Sequence, residues 1–131
     1  KQKALSEIFR VLQRGGMFVF DDLFKPKPNV SRDTQKFVYE RLLFDTPFSF
    51  KTYQEELRKH GFEVIEARDE TKNMKKTYQK LCRILEEKIK NNENPKFHER
   101  YQYLIKAYKK TIKATNKNEI GWVIFVCKKP K

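Results

Sequence analysis

The N-terminal segment of the chain shows two different hydrophobic patterns in succession. Apolar residues first recur every three or four positions, as on one face of a helix: Leu5, Ile8, Phe9 and Leu12. The glycines at 15–16 end this helix, because glycine enters positive-φ conformations at low cost. The continuous apolar run from Met17 to Phe20 then predicts a strand covered on both faces, as parallel strands in α/β proteins are.

The middle of the chain continues with helical patterns and a second strand. A loop with two prolines leads to a predicted helix from Thr34 to Phe44. Ser49 is a suitable N-cap for the next helical segment, Phe50 to Phe62, in which Gly61 provides the stop. The residues from Phe62 to Ala67 predict a strand.

The C-terminal half predicts a helical hairpin and a closing strand. Two helical stripes, Met74 to Ile89 and Phe97 to Ile112, are separated by a turn at Asn91 to Pro95. The run Ile120 to Cys127 is rich in β-branched and aromatic residues and predicts the third strand.

Composition and charge narrow the classes of protein. A chain of 131 residues with 38% hydrophobic and 14% aromatic residues builds one folded domain. The net charge is +13, and residues 72–117 carry fourteen basic and four acidic side chains. This field attracts nucleic acid, anionic lipid or a phosphorylated small molecule, or it is simply a solvated helix surface.

Cysteine usage and the ends of the chain give further expectations. Cys82 and Cys127 lie far apart without a metal-binding spacing, which predicts reduced thiols, no metal site and a cytoplasmic location. The chain has no apolar run of the roughly 20 residues that span a bilayer, so we expect a soluble protein. It begins inside a helical pattern without Met, which suggests a fragment.

Two acids follow the first predicted strand. Asp21 and Asp22 come directly after the apolar run. Ligands of open α/β sheets bind outside the carboxyl ends of the strands, so both acids are candidate site residues.

Several motifs resemble class I S-adenosylmethionine-dependent methyltransferases. LSEIFRVLQRGG resembles the helix and glycine turn before their fifth strand, and FKTYQEELRKHGF is similar to the helix before the sixth. EARDETKNMKKTYQKL resembles the D-x-T segment of the sarcosine and dimethylglycine methyltransferases and of the phosphoethanolamine methyltransferases. IGWVIFVCKKP is similar to their closing strand.

The resemblance implies a fold and a place within it. Residues 1–131 would form the C-terminal part of one Rossmann-like α/β methyltransferase domain, with strands five, six and seven and with residues 71–117 as an inserted helical hairpin. The seventh strand would lie antiparallel between the other two. The glycine-rich loop that binds the cofactor is absent from this chain, so alone it would be an inactive fragment.

The resemblance also implies a function. The cofactor would be S-adenosylmethionine, and the acceptor a small amine such as an N-methylglycine or a phosphobase, methylated by direct in-line transfer. Two alternatives stay open at this point. One is a basic module that binds RNA or an anionic membrane without catalysis, and the other is a methyltransferase acting on nucleic acid.

The resemblance assigns roles to individual residues. Asp22 would orient the amine, unless it caps backbone amides instead. Arg41 and Tyr39 would lie on a helix that holds the substrate phosphate, since a guanidinium binds phosphate in a bidentate fashion; otherwise Arg41 is a surface arginine.

The same resemblance gives three more candidate site residues, and a fourth residue, Trp122, has a structural expectation. Asp69 and Thr71 would close over the active site, or they cap the helix that follows. Lys110 lies near a position used for phosphate binding. Trp122 is expected in the core, because a tryptophan in a closing strand buries a large area.

Overall fold

The computed structural model describes residues 2–131, and these begin with a helix packed on a sheet. Helix α1 (Gln2–Val11) buries Leu5, as its apolar stripe predicts. Gly15 has a φ of +79°, and its amide donates to the carbonyl of Lys129 at 2.7 Å. Strand β1 (Met17–Phe24) follows and is four residues longer than the predicted apolar run.

The segment after β1 departs from the predicted helix over residues 34–44. Helix α2 (Arg32–Thr34) passes into a π-helix, Gln35–Glu40, in which three consecutive side chains are buried. The helix ends at Glu40, and Leu43 has a φ of +50°. The predicted helix was therefore too long. Thr46 and Pro47 come soon after this turn, and the residue before a proline disfavours helical backbone.

The next two elements confirm their predictions. Helix α3 (Phe50–Lys59) starts with a capping box in which Ser49 and Thr52 exchange hydrogen bonds. Gly61 ends it with a φ of +97° and lets the ring of Phe9 approach to 2.8 Å from where a Cβ would lie. Strand β2 (Glu63–Asp69) follows.

The helical hairpin forms as predicted. Helix α4 (Thr71–Lys90) and helix α5 (His98–Asn116) pack against each other. Asn92 and Asn94 adopt positive φ in the connecting turn, as asparagine tolerates better than most residues. That these helices are an insertion in a larger domain stays a prediction. Strand β3 (Gly121–Lys128) closes the chain.

The three strands form one sheet in the order β1-β3-β2, with β3 antiparallel to both neighbours. Phe20 lies opposite Phe125, and Leu23 lies opposite Trp122. The last strand therefore sits between the first two, which is the arrangement that the resemblance implied.

Each face of the sheet has its own apolar cluster. Helices α1 and α3 cover one face, and the other is covered by the hairpin and the π-helix. The first cluster includes Phe24, Tyr53, Leu57, Val123 and Phe125. The second includes Val38, Tyr39, Met74, Ala114 and Ile120.

Strand β1 is not covered on both faces, which corrects the prediction. Met17 is 49% exposed and Val19 is 61% exposed, since the second cluster contacts this strand further along, at Leu23. Among residues 2–131, no helix is both long and apolar enough to cross a membrane.

Candidate functional site

A cleft of about 420 Å³ opens between the sheet and the helical hairpin. This volume falls in the range of small-molecule sites. Its lining combines one acid, one base, aromatic rings and apolar side chains, including Asp21, Leu23, Arg41, Tyr78, Tyr108 and Trp122. A larger hollow of about 680 Å³ lies among proline-containing loops, but its Lys25 is already paired with Asp45 at 3.2 Å.

Arg41 is the fixed cation of the cleft. Its Nε donates to the carbonyl of Phe37 at 2.7 Å, and Nη2 donates to the hydroxyl of Thr111 at 3.3 Å. The guanidinium also lies over the rings of Tyr108 and Tyr78, at 5.4 and 5.9 Å from their centroids. No carboxylate of residues 2–131 forms an ion pair with it, so Arg41 presents an oriented positive charge to an incoming anion.

The adjacent acids Asp21 and Asp22 face opposite sides of the sheet. Asp21 lies in the cleft, where its Oδ2 accepts a hydrogen bond from Nε1 of Trp122 at 3.2 Å. Asp22 lies under α3, where it accepts from the hydroxyl of Tyr53 at 2.7 Å and from the amide of Leu23 at 2.8 Å. Both acids lie within β1 rather than after its end.

The contact with Tyr53 gives Asp22 a structural environment. Burial raises the pKa of Tyr53, and the hydrogen bond to Asp22 raises it further, so the phenol stays protonated and donates to the carboxylate. This contact lies within the first apolar cluster and outside the cleft.

Tyr39 and Lys110 do not line the cleft. Tyr39 is 1% exposed, and its hydroxyl donates to the carbonyl of Glu119 at 2.6 Å. Burial raises the pKa of this phenol. Lys110 pairs with Asp33 at 2.7 Å on the outside of the hairpin, and this contact lowers the pKa of the Asp33 carboxyl. Of the three predicted phosphate-binding residues, the structure brings Arg41 alone to the cleft.

Asp69 and Thr71 tie the start of α4 to the closing strand. Asp69 Oδ1 accepts from the amide of Thr71 at 3.0 Å and from its hydroxyl. Thr71 Oγ1 in turn accepts from the amide of Trp122 at 3.2 Å, and the amide of Glu70 donates to the Trp122 carbonyl at 2.7 Å. These are the contacts of the capping alternative, and they fix the strand at the edge of the cleft.

Sequence reasoning missed most of the cleft. Tyr78 and Tyr108 lie on the apolar stripes of the two hairpin helices, so their spacing predicts core residues. Their ring centroids are 5.3 Å apart. Trp122 was expected in the core; it is half-buried and packs against the second apolar cluster, and it also lines the cleft. The alternation along β1 was the available signal, because it places Asp21 and Leu23 on one face and Asp22 on the other.

Comparison with known proteins gives structural matches alone. No family model and no curated protein matches the chain. The chain is similar to Haemonchus contortus phosphoethanolamine N-methyltransferase 2, solved with phosphomonomethylethanolamine and S-adenosylhomocysteine, with a TM-score of 0.83 and 21% identity. It is also similar to the Mycobacterium tuberculosis cyclopropane synthase MmaA2, with a TM-score of 0.81 and 14% identity.

A third match is a Galdieria sulphuraria protein assigned as a sarcosine dimethylglycine methyltransferase, with a TM-score of 0.78 and 16% identity. These alignments cover 98 to 100% of this chain but 30, 49 and 47% of the respective neighbours. The chain therefore has the fold of part of an S-adenosylmethionine-dependent methyltransferase, and it spans less than half the length of these neighbours.

Proposed function

We propose that this chain is the substrate-side part of an S-adenosylmethionine-dependent methyltransferase that N-methylates a small amine. The observation that carries the proposal is the charged aromatic cleft around Arg41 in a chain that matches methyltransferases over its whole length. One of these neighbours was solved with a methylated phosphobase.

Arg41 supplies the chemistry that supports a small anionic amine as substrate. A planar guanidinium matches a phosphate or carboxylate with two parallel hydrogen bonds, and Tyr78 and Tyr108 keep its plane in place. Anchoring the far end of a substrate positions its amine and excludes water around it, which is the main contribution a protein makes to an in-line transfer.

Residues 2–131 do not form a cradle for S-adenosylmethionine. The glycine turn after α1 packs against the C-terminal residues of the chain. The Gly15 amide donates to the carbonyl of Lys129, and a Cβ on Gly15 would meet the side chain of Lys131 at 3.3 Å. We therefore place the cofactor-binding part outside these 131 residues, and we derive no step through it.

The other predicted residues have supporting parts in this proposal. Asp22 is bonded to Tyr53 beneath α3, which favours its structural alternative over a catalytic one. Asp69 and Thr71 shape the cleft through the backbone of Trp122.

The test is methyl transfer by the polypeptide that carries this chain. It is incubated with methyl-labelled S-adenosylmethionine and, separately, with phosphoethanolamine, glycine, sarcosine and dimethylglycine, and the products are identified by mass spectrometry. We expect label on one of these amines and its loss in Arg41→Gln, with Arg58→Gln, an exposed arginine of α3, as the matched control. Label on RNA, or salt-dependent RNA or vesicle binding without any transfer, would replace the proposal with one of the alternatives.

A further inference from the structure

Two opposite charges line the cleft without neutralising each other. Arg41 donates hydrogen bonds to the Phe37 carbonyl and to the Thr111 hydroxyl, and neither of these partners carries a charge. Asp21 accepts one hydrogen bond from the indole of Trp122. Each of these side chains therefore keeps part of its hydrogen-bonding capacity for a ligand.

The acidic side of the cleft has the features of a site for an organic cation. Asp21 Oδ1 has no hydrogen-bond partner among residues 2–131, while the indole of Trp122 holds the other oxygen. The Trp122 ring lines the same cleft, and no described lysine or arginine lies over it. Tryptophan is the strongest cation–π partner among the side chains, and a methylated ammonium is a typical ligand of an aromatic ring beside a carboxylate.

We infer that the cleft binds a small zwitterion, with its anionic group on Arg41 and its methylated ammonium between Asp21 and the ring of Trp122. The inference rests on the proposed function, since it takes this cleft as the substrate site, and it adds the residues that recognise the amino end. A carboxylate favours the charged form of an amine, so Asp21 recognises the ligand and does not activate the nucleophile.

The two charges together select against ligands of a single sign. Inorganic phosphate is attracted by Arg41 but repelled by Asp21, whereas choline is attracted by Asp21 and repelled by Arg41. A zwitterion with separated charges gains both attractions. The cleft therefore discriminates by charge pattern as well as by size.

The experiment measures binding by isothermal titration calorimetry. The polypeptide that carries this chain is titrated at low ionic strength with phosphocholine, inorganic phosphate and choline. We expect phosphocholine to bind at least about tenfold more tightly than either single-charge probe, a difference of about 1.4 kcal/mol.

The decisive variant is Asp21→Asn, which removes the charge and keeps an oxygen that accepts from the indole of Trp122. We expect its phosphocholine affinity to fall to that of phosphate, while phosphate binding is unchanged or slightly tighter. Glu63→Gln is the matched control, because it removes an exposed carboxylate on β2 that does not line the cleft, and it should leave the phosphocholine preference intact. Arg41→Gln should weaken both phosphate and phosphocholine.

The outcomes separate this inference from the proposed function. An equal affinity for phosphocholine and phosphate, an unchanged preference in Asp21→Asn, or no binding of any probe would overturn the inference. If phosphate binds through Arg41 and a small amine is methylated, the proposed function holds even when Asp21 proves irrelevant. If the zwitterion preference depends on Asp21 but no methyl transfer occurs, the binding site stands and the proposed function fails.

Discussion

The two faces of the sheet differ in how they are packed, although the same three strands supply both. On the face beneath α1 and α3, Phe20, Tyr53 and Phe125 meet ring to ring at 5.0 to 6.0 Å. On the face beneath the hairpin, packing is incomplete and leaves the cleft beside Trp122. Because side chains alternate along a strand, the same strands place tightly packed rings on one face and the lining of the cleft on the other.

The largest effect on stability should come from removing a buried ring on the face beneath α1 and α3. Phe125 is fully buried on the central strand, so Phe125→Ala removes a large ring that its neighbours cannot replace. We expect the free energy of unfolding to fall by about 3 to 5 kcal/mol, measured by urea denaturation. The folded fraction should keep its preference for phosphocholine over phosphate; loss of that preference would contradict the separation of the two faces.

A smaller effect should come from Glu119, which fastens the segment that leads to Arg41. This carboxylate is 3% exposed and accepts from the Ser31 amide, the Ser31 hydroxyl and the Thr34 hydroxyl. Burial alone would raise the pKa of Glu119, but these hydrogen bonds bring it below the ordinary value of 4.5. Glu119→Gln should destabilise the fold by about 1 to 3 kcal/mol, as for a buried group that loses a partner.

The pH dependence of that loss has a definite sign. Because the pKa of Glu119 is lower in the folded chain, the unfolded chain takes up its proton first as the pH falls. The stabilisation that comes from the lowered pKa is present above about pH 4.5 and is lost as the pH falls through the lower pKa of the folded chain. The gap between the melting temperatures of the wild type and Glu119→Gln should therefore narrow from pH 7 to pH 3; a constant gap would contradict this account.

The bond between Asp22 and Tyr53 tests which face Asp22 belongs to. Tyr53→Phe removes the hydroxyl that donates to the carboxylate and should cost about 1 to 2 kcal/mol of stability, with no change in phosphocholine affinity. A double-mutant cycle with Asp22→Asn measures the coupling. A large effect on ligand binding with little effect on stability would instead assign Asp22 to a binding site.

The smallest effect is expected at the Lys110 and Asp33 pair. Both side chains are substantially exposed, and ion pairs at the surface contribute little. Lys110→Met should leave the melting temperature and the phosphate affinity within experimental error of the wild type. A clear loss of phosphate affinity would return Lys110 to the site that the resemblance implied.

The fold could be predicted from the sequence because its elements carry strong local signals. The stripe from Leu5 to Leu12, the cap at Ser49 and the stop at Gly61 each act over a few residues. The π-helix at 35–40 was not predicted. Its three consecutive buried residues result from tertiary packing and do not show the spacing of three or four positions that marks a helix in the sequence.

The cleft could be predicted in part. Arg41 was found through a resemblance, whereas Tyr78, Tyr108 and Trp122 have the apolar spacing of core residues and face a cavity by virtue of where the hairpin lies. Asp21 and Asp22 are neighbours in sequence, and their separation follows from β1 continuing through both of them.

The central claim is that a ligand binds on the hairpin face of the sheet, between Arg41 and Trp122. The most direct measurement is a heteronuclear NMR titration, with phosphocholine, of the labelled polypeptide that carries this chain, in which the indole N–H signal of Trp122 is identified by its loss in Trp122→Phe. We predict that this signal shifts together with the Asp21 amide, while the amides of α3 around Tyr53 stay in place. Shifts confined to α3 and Asp22, with an unmoved indole signal, would contradict the account.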